Sequence, residues 1–226
     1  MIVVPLAWAI LLLFHPGGEA TEIYRSLDDE VTVWMVVHVG MLVFIPLFAV
    51  AVYLLVRGIE GTAARVSRIG LVFFVVFYGA FETLQGIGVG TLVDALNGLP
   101  EIGQATREDL VQDFAENVLF RDLGVFSSIG SLALIAAMIA AAVALRGHAG
   151  APLSVVILLG LSGFLIGAHP PPFGPTGLAF FIIAVLLFLR SRSTAPGHAP
   201  PGPAGSASDV AARVARVAAP PAPRRR

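Results

Sequence analysis

Six side chains could bind a ligand, hold a metal or move a proton from within an otherwise apolar sequence: His15, His38, Tyr78, Glu82, Gln85 and His169. Glu82 is the most telling. It lies near the middle of Gly70 to Val93 (GLVFFVVFYGAFETLQGIGVGTLV), a stretch long and apolar enough to cross a bilayer. A carboxylate at that depth costs roughly 2.5 to 3.5 kcal/mol on insertion scales, so it faces protein or water rather than lipid. Tyr78, Glu82 and Gln85 recur at i, i+4 and i+7, which puts them on one stripe of a helix. Gly79, Thr83, Gly86 and Gly90 form a second stripe of small residues, against which another helix can pack closely.

The chemistry open to this set falls into two classes. His38 and Glu82 can share a proton, or orient a ligand, or simply satisfy each other and fix helix register. His15, His38 and His169 are suitable ligand types for haem iron or a divalent metal, with Glu82 or Glu116 as carboxylate partners, which would make the chain a haem- or metal-dependent membrane redox protein, although no two of them have a tight spacing such as HxxxH. The reading leans away from an enzyme, because neither a Ser/His/Asp arrangement nor a pair of catalytic carboxylates can be assembled. Gly86 to Gly90 is no phosphate loop, lying inside an apolar span with no strand before it.

The elements that must position these groups follow from composition. Hydrophobic residues make up 57% and charged residues 13% of the 226 positions, and the mean hydropathy is +0.87. A soluble domain carries about 25% charged residues, so the chain belongs to the membrane class. Cysteine is absent, which excludes disulfides and CxxC redox motifs. Every basic residue is Arg, a bias expected of a GC-rich genome.

The expected fold is an all-α integral membrane bundle of six transmembrane helices, five if the N-terminal segment is cleaved, plus one outer amphipathic helix. The spans fall at about 1–14, 31–56, 70–93, 123–145, 153–168 and 173–189. The first is short. It reads as a retained span or as a signal segment cleaved after Gly18-Glu19-Ala20. Pro46 lies within the second span, and Trp8 and Trp34 suit anchoring near the membrane interface. In the loop from Asp94 to Asp122, Thr106 to Phe120 reads as an amphipathic helix. Thr106 and Asp109 would form a capping box, and Val111, Phe114, Ala115, Val118 and Leu119 an apolar face that rests on the membrane or caps the bundle. Gly163 and Gly167 form a further packing seam in the fifth span. Residues 191–226 form a Pro/Ala/Arg tail that cannot build a core and should be disordered.

Arginine sets the orientation. Segments 57–68 and 146–152 together with the tail from Arg190 hold 11 of the 14, so these face the cytoplasm, with both termini, at a bacterial plasma membrane. The acidic loops then face outward. At about 1.5 Å per residue, His38 lies roughly 10 Å below the outer surface, Gln85 about 12 Å, Glu82 about 16 Å and Tyr78 about 22 Å. Polar groups thus concentrate in the outer half, above an apolar inner half. The expectation is an outward-facing pocket of His38, Tyr78, Glu82 and Gln85, with His15 and His169 at its mouth. That shape fits a non-enzymatic component binding a small ligand or partner better than a proton- or cation-coupled carrier, which needs polar groups on a path to both sides. The partners expected are the lipid bilayer and a second copy or another membrane subunit, with no nucleic acid.

HPGG after the first span, WMVVHVGML in the second, FYGAFETLQGIGVG in the third and AHPPPFGP before the last carry a resemblance. On these segments the chain resembles uncharacterised small polytopic membrane proteins of high-GC, actinobacterial type, over about residues 1–190. The resemblance implies a fold class and a compartment and no catalytic residue.

Overall fold

The computed structural model describes residues 1–16, 22–168 and 170–193. The cleavage-site segment Gly18-Glu19-Ala20, His169 and the tail beyond Ser193 lie outside them. The described residues are helical, with no β-strand among them. Helices α1 (Val3–Leu12), α2 (Ile23–Leu27) and α3 (Val31–Leu55) come first. They are followed by α4 (Thr62–Asn97), α5 (Gln104–Phe120), α6 (Gly124–Ala149), α7 (Leu153–Gly167) and α8 (Phe173–Ser193). Met1–Ser191 form one compact unit. Four helices, α3, α4, α6 and α8, are long and apolar enough to cross a membrane. α1 and α7, at 10 and 15 residues, are shorter apolar helices.

Close approach of the helices rests on a few glycines. A Cβ on Gly130 of α6 would stand 2.7 Å from the Tyr78 amide nitrogen, and one on Gly70 of α4 would stand 2.9 Å from the Ala133 carbonyl oxygen. Only hydrogen at these positions lets α4 and α6 pack backbone to backbone. Gly163 and Gly167 of α7 face Met138 and Ser131 of α6, and Gly177 of α8 faces Ile166 of α7. Away from the polar end the core is aromatic and aliphatic. Phe48 of α3 packs edge-on against Trp8 of α1 at 5.5 Å and against Phe181 of α8 at 4.8 Å.

Helix α4 is not α-helical throughout. Phe74–Tyr78 and Thr83–Gly88 wind as π-helix on either side of a single α-turn, Gly79–Glu82. Wider π-turns rotate the residues that follow relative to an α-helical register. The small-residue stripe therefore splits: Gly86 and Gly90 face α3, whereas Gly79 has open space where a Cβ would go and Thr83 is exposed. The Thr83 hydroxyl donates to its own helix instead, to the Gly79 carbonyl at 2.8 Å.

The polar end carries its own small core. Ile23, Tyr24 and Leu27 of α2, Val89, Val93 and Leu96 of α4, and Val111 and Ala115 of α5 bury against Trp34. Of the two settings expected for the amphipathic helix, α5 adopts the cap. It begins at Gln104 with no side-chain cap, so Thr106 lies inside the helix and the Thr106–Asp109 capping box does not form. The three Arg residues here are all engaged. Arg25 bonds both oxygens of Glu108 at 2.7 and 3.1 Å, Arg121 bonds Asp113 and Glu116, and Arg107 donates to the carbonyls of Ile102 and Leu99. The hydrogen bond from Arg25 holds the Glu108 carboxyl below its usual range, and Glu108 in turn raises Arg25.

A buried His–Glu–Tyr cluster as the candidate functional site

His38 reaches the site because α3 opens with Trp34-xxx-His38, which stacks the two rings one turn apart. Their centroids are 4.1 Å apart, and the His38 Nδ1–H donates to the Trp34 carbonyl at 2.8 Å. The Trp34 indole N–H crosses to α4 and donates to the Gly86 carbonyl at 2.6 Å. Gly86 itself admits the His38 ring, since any Cβ there would overlap its Cδ2. This fit brings His38 Nε2 to 3.7 Å from Glu82 Oε2, with both side chains fully buried. The Tyr78 hydroxyl shares a side-chain hydrogen bond with Glu82, and it also reaches the Gly167 carbonyl of α7 at 3.3 Å.

His15 closes the site. The segment after α1 lays its ring 5.1 Å from both the Trp34 and the His38 rings, and its Nδ1–H donates to the Pro16 carbonyl at 2.8 Å. Gln85 is 6% exposed, and its Oε1 has no hydrogen-bond partner among the described residues. Four of the six expected residues, His15, His38, Tyr78 and Glu82, thus gather into one cluster, with Gln85 buried one turn along α4. His169 lies outside the described residues.

Among the described residues Glu82, His38 and Tyr78 are inaccessible to solvent, with the Trp34 indole and the His15 ring packed beside His38. Trp34 is the functional neighbour that an interfacial reading misses. It is buried, as is Trp8, because each finds an aromatic partner inside the bundle. The i, i+4 spacing of Trp34 and His38 was the available signal. For the metal reading, His15 and His38 come together, but among the described residues no group of three His, Asp or Glu side chains is placed to hold an ion.

The tautomer limits what the pair can do. With Nδ1–H committed to the Trp34 carbonyl, His38 presents Nε2 to the carboxyl. A neutral imidazole facing a carboxylic acid holds one proton at this contact, and so does an imidazolium facing a carboxylate. Both forms are neutral overall. Adding or removing a proton leaves a net charge in an apolar bundle, so the centre is a one-proton site. No family model, curated protein or solved structure matched the chain, so the site is read from its own geometry.

Proposed function

We propose that the chain is a non-enzymatic multi-pass component of a bacterial plasma membrane whose His38–Glu82–Tyr78 centre holds one proton and couples its position to the outer end of α7. The observation that carries this reading is the pair of acceptors available to Tyr78. A phenol has one proton to give. When Glu82 is an acid its one proton faces His38 Nε2, the carboxyl is a weaker acceptor, and Tyr78 donates to the Gly167 carbonyl. When Glu82 is a carboxylate, Tyr78 donates to it and Gly167 is released. A ligand or partner on the acidic face that favours one docking of α7 would thereby favour one proton position.

The topology belongs to the same proposal: six crossings, with α1 and α7 short, and both termini cytoplasmic, as in the high-GC family the sequence resembles. The two Arg-rich loops support it by lying together, since a Cβ on Gly61 would stand 3.9 Å from His148 Cε1. The absence of cysteine makes the test direct. In intact cells, an impermeant thiol reagent should modify Gly98→Cys and leave Gly147→Cys unmodified; the reverse pattern inverts the topology.

The proton reading is tested at Ala168→Cys in nanodiscs, with labelling normalised to Gly98→Cys at each pH. The wild-type background should label at one rate across neutral pH, and Glu82→Gln and Tyr78→Phe should both change that rate. An equal rate in all three backgrounds defeats the proposal.

A carrier remains the second reading, favoured by the π-helical turns on both sides of Glu82, which are frequent at functional sites. Proton flux into proteoliposomes that Glu82→Gln abolishes would establish it over the first.

A further inference from the structure

A second site lies far from the cluster, at the Arg-rich end of the α3–α4 hairpin. Pro46, Ala49, Val50 and Tyr53 of α3 and Leu71, Val72, Val75 and Val76 of α4 line an apolar groove of about 330 Å³ that is open to the side of the bundle. Arg68 stands at one end of it. The guanidinium is anchored by Nη2, which donates to the carbonyls of Val56 at 2.9 Å and Ile59 at 2.7 Å where α3 turns into α4. Its Nε is buried and has no hydrogen-bond partner among the described residues. No carboxylate pairs with Arg68 among those residues. Exposed Arg57 and Arg65 lie on the same loop and the first turn of α4, with Glu60 as the one acid between Arg57 and Arg68.

We infer that this groove binds an anionic diacyl phospholipid, with one acyl chain along Val50, Val72 and Val76 and the phosphate on Arg68. An apolar trough lined at one end by a guanidinium that its Nη2 bonds hold in place, with exposed Arg57 and Arg65 nearby, matches an amphiphile with a phosphate head. Arginine pairs with phosphate through directed N–H donors, and two further Arg residues at the rim add attraction for an anionic headgroup. A free phosphate would use the head site and leave the trough empty, whereas a lipid without a phosphate would use the trough alone.

The test is native mass spectrometry of the full chain released from nanodiscs containing equal phosphatidylglycerol and phosphatidylcholine. The wild type should retain phosphatidylglycerol about tenfold over phosphatidylcholine, because the choline cation of the latter competes with Arg68 for the phosphate that phosphatidylglycerol leaves free. Arg68→Gln should remove that preference. Because Arg68 also holds the hairpin turn, Val72→Trp serves as a second variant that fills the trough and leaves the guanidinium intact. It should lower retention of both lipids, while Arg57→Gln lowers the ratio much less than Arg68→Gln. Equal retention of the two lipids by the wild type overturns the inference. So does a loss in Arg57→Gln as large as in Arg68→Gln, which would mean diffuse charge attraction, or retention unaffected by Val72→Trp.

Discussion

Among the described residues two acid–base pairs hold α-helices together, and the shorter is the weaker guide to function. Arg25 and Glu108 join α2 to α5 through two hydrogen bonds as short as 2.7 Å, out in solvent. His38 and Glu82 join α3 to α4 at 3.7 Å, fully buried. Water and salt screen the first pair, and either partner can be lost to solvent at little penalty. Neither partner of the second can be removed without stranding the other in apolar surroundings. Distance reports geometry; burial decides how tightly two residues depend on each other.

The most damaging way to break the contrast is to remove one buried partner. His38→Leu should destabilise the protein by about 3–5 kcal/mol in reversible unfolding from mixed micelles, the usual cost of orphaning half of a buried pair. His38→Leu/Glu82→Leu should recover much of that loss, because an apolar replacement of the whole pair leaves no stranded group. If the single and double variants are equally unstable, the two residues are not coupled.

Next in size is Gly86→Ala, whose new methyl overlaps the His38 ring and should cost about 1–3 kcal/mol as an overpacking change. Gly79→Ala, one turn before Thr83 and with open space at its Cβ, should instead stabilise by about 0.5–1 kcal/mol through helix propensity. Equal effects at the two glycines would restore the continuous seam that the α-helical spacing suggested.

The smallest effect belongs to the exposed pair, and its sign is set by Glu108. Its carboxyl titrates below the ordinary glutamate range when folded, so the stability it lends is present above that range and is lost as pH falls through the lowered value. Arg25 is raised and stays charged throughout. Arg25→Ala should therefore flatten the acid limb of the melting-temperature profile slightly and leave the neutral plateau almost unchanged. A large loss at neutral pH would mean that the outer cap depends on this pair.

The sequence carried more of the site than of its setting. Counting residues at 1.5 Å each placed His38 within reach of Glu82, and the structure puts them 3.7 Å apart. Hydropathy found the long apolar helices, since a continuous run of Val, Leu, Ile and Phe has few other uses. What could not be read was the backbone change inside α4, because GAFETLQGIG has no residue that enforces a π-turn; without it, Gly79 and Thr83 fall on the wrong face. Trp34 was equally hidden. An indole near a helix end belongs at an interface on statistics alone, and only the facing Gly86 carbonyl makes burial favourable. Helix α2 was lost in a stretch rich in acids, where five helical residues are too few to show a period.

The length of α4 has a mechanical consequence. Its 36 residues rise roughly 50 Å, against a hydrocarbon layer of about 30 Å, so the helix overshoots the lipid unless steeply tilted. It works as a mast. At the foot stands Arg68; at the head Val93 and Leu96 carry the small helices of the cap. Between them the stem changes pitch twice, beside Glu82. A push on the cap, or a pull at the foot, is transmitted along one piece of backbone to the place where it is least regular.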